Sequence, residues 1–342
     1  MLKKIVPNTV MFAKILVFIN LFGYVFGVNN NLVGITILII LLVLMQEDLT
    51  KKPIENFIKL TSINLISGIL THLSSQNMWV GFILNFVALA TIGYFFSSRL
   101  NKTLVVPFGL QYLFMLYSPV TGIDFDKRLI GLVAGAVLVM ITQFIIHPKS
   151  SQSENETLEL VEVNEDTSLY KTVRVIGRDY SVHRVRGAYA LRIGLITAIT
   201  AFIVAFFNLQ EGRWIVYTVF SLTELYSENC TIRSKQRVQG TIFGAVIILV
   251  LFVFIKDNSI RAMIILVAGY LDSFTTNYRD KMICVTISVI ASTALINNAL
   301  YAAVNRISYI LIGTILALIV DKLVFKNKLN DFKEIKKIQE QE

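Results

Sequence analysis

The stretch TELYSENCTIRSKQRVQGTIFG, residues 223–244, places charged side chains between two apolar segments. An acid, Glu224, stands at the end of the first segment, and the bases that precede the second are Arg233, Lys235 and Arg237. Apolar segments joined by a short cationic stretch are typical of neighbouring membrane helices connected on the cytoplasmic side. The stretch therefore predicts a helical hairpin in a membrane, and the same pattern can be followed outward through the chain.

The composition supports a polytopic membrane protein. Of the 342 residues, 55% are hydrophobic, and the mean hydropathy is +0.65. A soluble protein of this length needs a polar surface and is rarely so apolar on average. The net charge of +9 could indicate a nucleic-acid partner, but in a membrane protein it more often reflects cations that set orientation. We therefore predict a lipid bilayer and no nucleic acid as the partner.

Twelve apolar segments are long enough, or nearly so, to form membrane helices. In the first half of the chain they are 10–27, 32–45, 57–73, 78–96, 103–117 and 129–146. In the second half they are 188–207, 214–226, 238–255, 260–274, 282–296 and 307–325. The predicted fold is an all-α membrane protein with about twelve transmembrane helices.

The cations predict the orientation of these helices. If the N-terminus is cytoplasmic, most of the 32 lysines and arginines fall on the inner side. The outer side receives only Lys127, Arg128, Arg213, Lys256, Arg261 and Arg306. Cytoplasmic loops carry the excess of Lys and Arg in membrane proteins. We predict a multi-pass protein of the bacterial inner membrane with both termini in the cytoplasm.

The two halves of the chain resemble each other. An offset of 181 residues pairs Thr50 with Thr231, and an offset of 178 pairs Arg128 with Arg306. Each half has an even number of segments, so both halves enter the membrane in the same direction, as in a parallel repeat. The predicted boundaries are a first six-helix repeat 1–148, a cytoplasmic linker 149–186, a second six-helix repeat 187–325 and a basic tail 326–342.

Signatures of common enzymes are absent from the sequence. It has no GxxxxGK[ST] phosphate loop, no HExxH zinc motif and no GxSxG nucleophile motif. The two cysteines, Cys230 and Cys284, have neither metal-ligand nor redox-motif spacing. We predict that the protein is not an enzyme and has no catalytic residue, metal site or cofactor.

The second half carries a pattern of residues that extends the opening stretch. Trp214 starts an apolar segment, and the connection after that segment reads Thr231-x-Arg233-x-x-x-Arg237-x-x-Gly240-Thr241-x-x-Gly244. An arginine-bearing segment, HRVRGAYALRIG (183–194), comes before the tryptophan. This order resembles the fusaric acid resistance protein family, also called the aromatic acid exporter family. The first half lacks the tryptophan and the Gly-Thr pair.

The resemblance implies a transporter that exports small organic anions such as aromatic carboxylic acids. Clustered cations concentrate anions, so the substrate-path candidates are Arg192, Glu224, Arg233 and Arg237. A carboxylate near the membrane needs a partner, and Arg233 or Arg237 is the simplest one for Glu224; proton coupling through Glu224 is the other reading. The candidates for a structural motif are Trp214, Thr231, Gly240, Thr241 and Gly244, since small residues four apart allow close helix contacts.

Other functions stay open at this point. A passive anion channel would use the same cations, and plant malate-channel proteins look distantly similar in their membrane half. A membrane scaffold of envelope assembly is the reading without transport. A carrier of the major facilitator type is disfavoured because its G-x-x-x-D-R-x-G-R-R loop is absent. The substrate, the coupling ion, association of several copies of the chain and adaptor proteins are not determined by the sequence.

Overall fold

The computed structural model describes residues 2–97, 103–147, 170–175, 178–225 and 227–325. The acidic part of the predicted linker and the predicted basic tail lie outside these residues. Each of the twelve predicted apolar segments forms a helix. In the first half the helices are α1 (Leu2–Phe26), α2 (Asn31–Leu44), α3 (Pro53–Gln76), α4 (Met78–Phe95), α5 (Val105–Tyr117) and α6 (Ile123–Ile146). In the second half they are α7 (Arg184–Phe206), α8 (Arg213–Leu222), α9 (Ser227–Phe254), α10 (Asn258–Asp272), α11 (Tyr278–Ala294) and α12 (Ala299–Phe325).

Six of the described helices are long and apolar enough to cross a membrane by themselves. Their candidate spans are Ile5–Phe26, Met78–Phe95, Ile123–Ile146, Arg184–Phe206, Asn229–Phe254 and Ala299–Lys322. The other six helices are shorter, or too polar along part of their length. The prediction of a helical membrane protein is therefore confirmed, whereas twelve complete membrane crossings remain a prediction.

Among the described residues, two short strands interrupt the helical fold. Strand β1 (Tyr170–Val175) pairs antiparallel with β2 (Arg178–His183), with Tyr170 opposite His183. This hairpin falls inside the segment 149–186, which is predicted as a linker, and α7 follows it directly. The linker therefore contains ordered secondary structure in its described part.

The helix ends follow local sequence signals. Pro53 occupies the first turn of α3, where its missing N–H costs no hydrogen bond. The side chain of Asn77 caps α4 by accepting hydrogen bonds from the backbone N–H groups of Trp79 and Val80. A glycine with positive φ, Gly27 at 92°, separates α1 from the short 3-10 helix that precedes α2. Such a φ favours glycine, which has no Cβ to clash with the backbone.

The chain divides into two compact units. The first unit contains residues 15–202, and the second contains residues 1–14 and 203–342. In the first unit α3 packs against α4, α5 and α6, and α2 packs against α5 and α6. One cluster of buried apolar side chains in this unit contains Phe22, Val33, Ile37, Met115 and Leu132. Helix α7 packs on α4 in this unit, where a Cβ on Gly93 would lie 3.2 Å from the Cα of Ala190.

The second unit is built around α9. This helix packs against α11 and α12, while α10 packs on α11 and α8 packs on α12. Its apolar core includes Ala245, Ile248, Ile290, Ala291, Ala302 and Ala303. The small alanines let these helices approach closely, as in many membrane bundles. The start of α1 packs on α10, where the rings of Phe12 and Tyr270 lie 5.5 Å apart.

Helix α9 has polar groups on its buried face and apolar groups on its exposed face. Arg237 and Thr241 are buried, whereas the exposed side chains of its apolar half include Ile242, Phe243, Val246, Ile247 and Val250. A water-soluble helix shows the opposite arrangement. Apolar side chains facing outward are expected where lipid surrounds the helix. Buried polar groups in such a helix are costly unless they are paired, and they often mark a functional site.

Candidate functional site

The candidate site lies in the second unit, where α8 ends and α9 begins. Helix α8 ends at Leu222, so Glu224 lies in the connection after it. Helix α9 begins at Ser227, earlier than the predicted segment start at 238. The predicted segments place Thr231, Arg233 and Arg237 in the connection before the helix, but these residues lie in the first turns of α9. Arg233 and Arg237 are therefore one turn apart on one helix face, which aims both guanidinium groups toward the same side.

An ion pair joins the connection to α9. The Nη1 atom of Arg233 donates to the Oε1 atom of Glu224 at 2.9 Å. The Glu224 side chain is only 6% exposed, whereas that of Arg233 is 35% exposed. A carboxylate removed from water needs a charged or hydrogen-bonding partner to stay ionised, and Arg233 provides one. Of the two partners considered for Glu224 in the sequence, the structure shows Arg233 in this pair.

Arg237 connects three helices through hydrogen bonds. Its Nη1 atom donates to the hydroxyl oxygen of Ser221 on α8 and to that of Tyr278 on α11, both at 2.7 Å. The side chain is buried, and its Nε atom has no hydrogen-bond partner among the described residues. Arg233 stacks over the Tyr278 ring at 4.4 Å from the centroid. We call Glu224, Arg233, Arg237, Ser221 and Tyr278 the inner cluster.

The charges of the inner cluster change the pKa of Tyr278, a residue that precedes the predicted membrane segment 282–296. Partial burial raises the pKa of its phenol, because ionisation away from water is unfavourable. The positive charges of Arg237 and Arg233, and hydrogen bonds with Arg237 and Ser221, outweigh this effect. The net pKa of Tyr278 lies below its ordinary value. The cluster therefore favours negative charge at this point.

The glycines of the motif set the distance between α9 and α11. A Cβ on Gly240 would lie 2.6 Å from the carbonyl oxygen of Arg279, and one on Gly244 would lie 2.8 Å from that of Ile283. Real Cβ atoms do not come so close to a backbone oxygen, so only glycine permits this contact. Thr241 is buried beside them. The close approach brings Tyr278, at the start of α11, within reach of Arg237.

Two of the predicted residues are not part of the inner cluster. Thr231 is exposed on α9. Arg192 is buried in α7, within the first unit. The hydrogen bonds described above thus join Glu224 to Arg233, and Arg237 to Ser221 and Tyr278, while Thr231 lies outside them.

Trp214 takes part in a second polar group at the start of α8. Its Nε1 atom donates to the Oε2 atom of Glu211 at 2.9 Å, and Arg213 forms a salt bridge with the same carboxylate at 2.7 Å. The guanidinium carbon of Arg306, on α12, lies 3.9 Å from the centroid of the Trp214 ring. We call Glu211, Arg213, Trp214 and Arg306 the tryptophan cluster.

The sequence missed five participants in these clusters: Ser221 and Tyr278 in the inner cluster, and Glu211, Arg213 and Arg306 in the tryptophan cluster. Tyr278 and Ser221 are ordinary residues at helix ends, and no local pattern distinguishes them. Arg306 is treated above as an outer cation and as the match of Arg128, with no role in a site, although its side chain is buried. Its match to Arg128 at a fixed offset was the available signal, because a cation repeated at the start of the same apolar segment in both halves can be drawn into the bundle, where it requires a partner or ligand.

The inner cluster can attract and hold a small anion. It contains two arginines and one glutamate, so one positive charge exceeds the acid present. Arginine donors of fixed geometry suit carboxylates. Because Arg237 already donates to two hydroxyl groups, a bound anion would compete with Ser221 and Tyr278 for the same donor.

Comparison with known proteins agrees with the second half of the chain. A family model described as fusaric acid resistance protein-like matches residues 197–320, from within α7 to the last turns of α12. This match confirms the predicted resemblance over those residues. No curated protein and no solved structure matches the chain. Both clusters lie within the matched segment.

Proposed function

We propose that the protein is a transporter of the bacterial inner membrane that exports small organic anions, such as aromatic carboxylic acids. The observation that carries this proposal is the inner cluster, in which buried Arg237 and paired Glu224 lie inside a unit with an apolar exterior. Removing such charges from water costs on the order of several kcal/mol per ion before pairing is counted. A scaffold needs no such cluster, whereas a path for anions does.

A repeated architecture supports a transport mechanism with two halves. Several helix pairs of the first half have a counterpart in the second: α2 with α6 and α8 with α12, α3 with α5 and α6 and α9 with α11 and α12, and α4 with α5 and α10 with α11. The contacts of α3 with α4 and of α2 with α5 have no comparable counterpart among the described residues. The first helix of each half packs on a helix of the other half: α7 packs on α4 in the first unit, and the start of α1 packs on α10 in the second unit. We infer two parallel six-helix repeats. Movement of one repeat against the other would give alternating access.

The Glu224–Arg233 pair is the proposed link to an ion gradient. Protonation of Glu224 would release Arg233, and an anion could then take the place of the carboxylate. The exchange keeps the number of charges in the cluster constant, which avoids burying an unpaired cation. In this mechanism Arg233 and Arg237 together hold the substrate, and Glu224 couples its binding to proton movement.

The test is uptake of a labelled aromatic carboxylate into inverted vesicles that contain the protein, with and without a pH gradient. The variants are Arg237→Gln and Glu224→Gln. The matched control is Lys235→Gln, because Lys235 lies on the same helix between the two arginines but is exposed. We expect the first variant to lose uptake, the second to lose its dependence on the gradient, and the control to behave as the original protein.

Each other result points to a different function. Uptake that is equally fast without a gradient, and unchanged in Glu224→Gln, would indicate a passive anion channel. No uptake of any carboxylate by the folded protein would favour the scaffold. Equal loss in Arg237→Gln and Lys235→Gln would show that general surface charge matters rather than the inner cluster.

A further inference from the structure

A separate cavity adjoins the tryptophan cluster. It has a volume of about 240 Å³ and lies between the segment before α8 and the facing parts of α11 and α12. Its polar lining includes Gln210, Asn297, Asn305 and Arg306, and its apolar lining includes Val289 and Tyr301. Sites for drug-sized ligands have about 300–1,000 Å³, so this cavity suits a smaller molecule. None of these lining residues belongs to the inner cluster.

Arg306 is the unusual residue of this cavity. Its side chain is 3% exposed, and its Nε and Nη1 atoms have no hydrogen-bond partner in the described part of the chain. The Trp214 ring covers one face of the guanidinium, but a ring face does not replace acceptors for the N–H groups in its plane. Buried charged donors without acceptors are rare, because they lose their hydration without compensation.

The charges around Arg306 leave one positive charge without a close partner. Glu211 is the acid that lines the cavity, and its carboxylate already accepts hydrogen bonds from Arg213 and Trp214. It acts on Arg306 electrostatically at longer range, where Arg237 and Arg213 oppose it. Glu211 and Arg213 neutralise each other, so a ligand with a single negative charge would balance Arg306.

The corresponding arginine of the first half shows the contrast. Arg128, on α6, is equally buried, but it donates to the side chain of Asn30 and to the carbonyl oxygen of Ser118, each at 2.8 Å. Longer bonds reach the carbonyl oxygens of Asn29 and Met115, both at 3.4 Å. The first unit thus provides acceptors around Arg128, whereas the second unit has a cavity beside Arg306.

We propose that this cavity binds a small monocarboxylate, with its carboxylate on the guanidinium of Arg306 and its apolar part against Tyr301 and Val289. The single charge follows from the charge balance, and the carboxylate follows from the unpaired guanidinium donors. The flat shape of the ligand follows from the aromatic wall. The cavity can bind this molecule whether or not the protein transports it. The inference rests on the proposed function only where it identifies the bound molecule as a transported substrate.

Trp214 is a built-in reporter for the test. The chain has two tryptophans, so Trp79→Phe leaves Trp214 alone in the full-length protein. In detergent, benzoate should change the Trp214 fluorescence saturably, and acetate should bind more weakly because it cannot contact the aromatic wall. Arg306→Gln, made in the same background, should weaken benzoate binding about ten- to a hundredfold, the usual range for losing hydrogen bonds to a charged group.

The matched control is Arg261→Gln. Arg261 also stacks on an aromatic ring in the second unit, that of Phe252 at 4.4 Å, but it does not line the cavity. Its replacement should leave benzoate affinity unchanged. Asn305→Asp keeps Arg306 and adds an acid to the cavity lining, so it should weaken binding even if Arg306→Gln is poorly folded. Thermal melting of each variant reports whether it is folded.

Three outcomes would overturn the proposal. The first is the absence of a saturable fluorescence change with benzoate, and the second is an unchanged benzoate affinity in both Arg306→Gln and Asn305→Asp. The third is displacement of benzoate by chloride at equal concentration, which would indicate a halide site. The vesicle assay separates this inference from the proposed function. Carboxylate transport without binding at Trp214 would reject only the cavity site. Binding at Trp214 without any transport would reject only the transport function.

Discussion

Arg233 Nη1 lies 2.9 Å from Glu224 Oε1, across the connection between α8 and α9. The pair ties a residue outside both helices to the first turns of α9. Because Glu224 is buried and Arg233 is partly exposed, the attraction acts in surroundings between protein interior and water. The pair therefore holds the connection in place and keeps a carboxylate beside Arg233, one helical turn from Arg237.

The coupling between Glu224 and Arg233 can be measured with a double-mutant cycle of Glu224→Gln and Arg233→Gln. We expect a coupling free energy of about 1 kcal/mol in chemical unfolding, which lies between exposed and fully buried pairs. The control cycle uses Glu55→Gln and Lys59→Gln, an exposed pair on α3. It should show a clearly smaller coupling, because water screens an exposed pair. Equal coupling in both cycles would contradict a buried role for Glu224.

The lowered pKa of Tyr278 predicts a dependence of stability on pH. The folded protein releases the phenolic proton more readily than the unfolded chain, whose tyrosines titrate near 10.0. The stabilisation is therefore lost at neutral pH and below, and grows as the pH rises toward the ordinary value. Melting temperatures of the original protein and of Tyr278→Phe, compared across this alkaline range, should diverge in favour of the original protein. A constant difference would show that the phenol does not titrate early.

The contact of α9 with α11 predicts that Gly240→Ala is destabilising. Its Cβ would meet backbone atoms and the Met282 Cβ at 2.7 Å, so α11 must shift. The expected loss is about 1–3 kcal/mol in the free energy of unfolding. The control is Gly269→Ala on α10, where the nearest atom, in Phe12, would lie 3.5 Å away. That variant should be neutral or slightly stabilising, since alanine favours helix more than glycine does.

The Asn77 cap predicts a local stability effect in the first unit. Asn77→Ala removes two hydrogen bonds at the start of α4 and should cost about 1 kcal/mol. Asn277→Ala is the matched control, because Asn277 stands before α11 in the same position but accepts no capping hydrogen bond. Melting in detergent should separate the two variants. Similar melting temperatures would mean that the α4 cap contributes little.

The predicted orientation can be tested by labelling cysteines. Cys230 and Cys284 are replaced by serine, and a single cysteine is introduced at Lys256 or Lys281, which are both exposed. A maleimide that cannot cross membranes should label the first variant in intact cells, and the second only after permeabilisation. These positions lie on the predicted outer and inner sides. The reverse pattern would place the termini outside.

The sequence by itself determined the helices and the membrane class. The backbone N–H and C=O groups of an apolar segment in lipid have no water to bond with, and a helix satisfies them within the segment. All twelve predicted segments form helices. The sequence also indicated Glu224, Arg233 and Arg237 as neighbours, because they are close along the chain. The early start of α9 was less predictable, since its first turns are polar and carry no apolar pattern.

Only the tertiary structure decided which distant groups meet. Tyr278 joins Arg237 because Gly240 lets α11 approach α9, and this partner choice depends on packing rather than on local pattern. Arg128 and Arg306 have matching places in the sequence, yet one is surrounded by acceptors and the other faces a cavity. A pattern of residue types shows which residues are close along the chain, but not which distant residues are in contact. Whether a buried charge finds an acceptor depends on where neighbouring backbone and side chains lie in three dimensions.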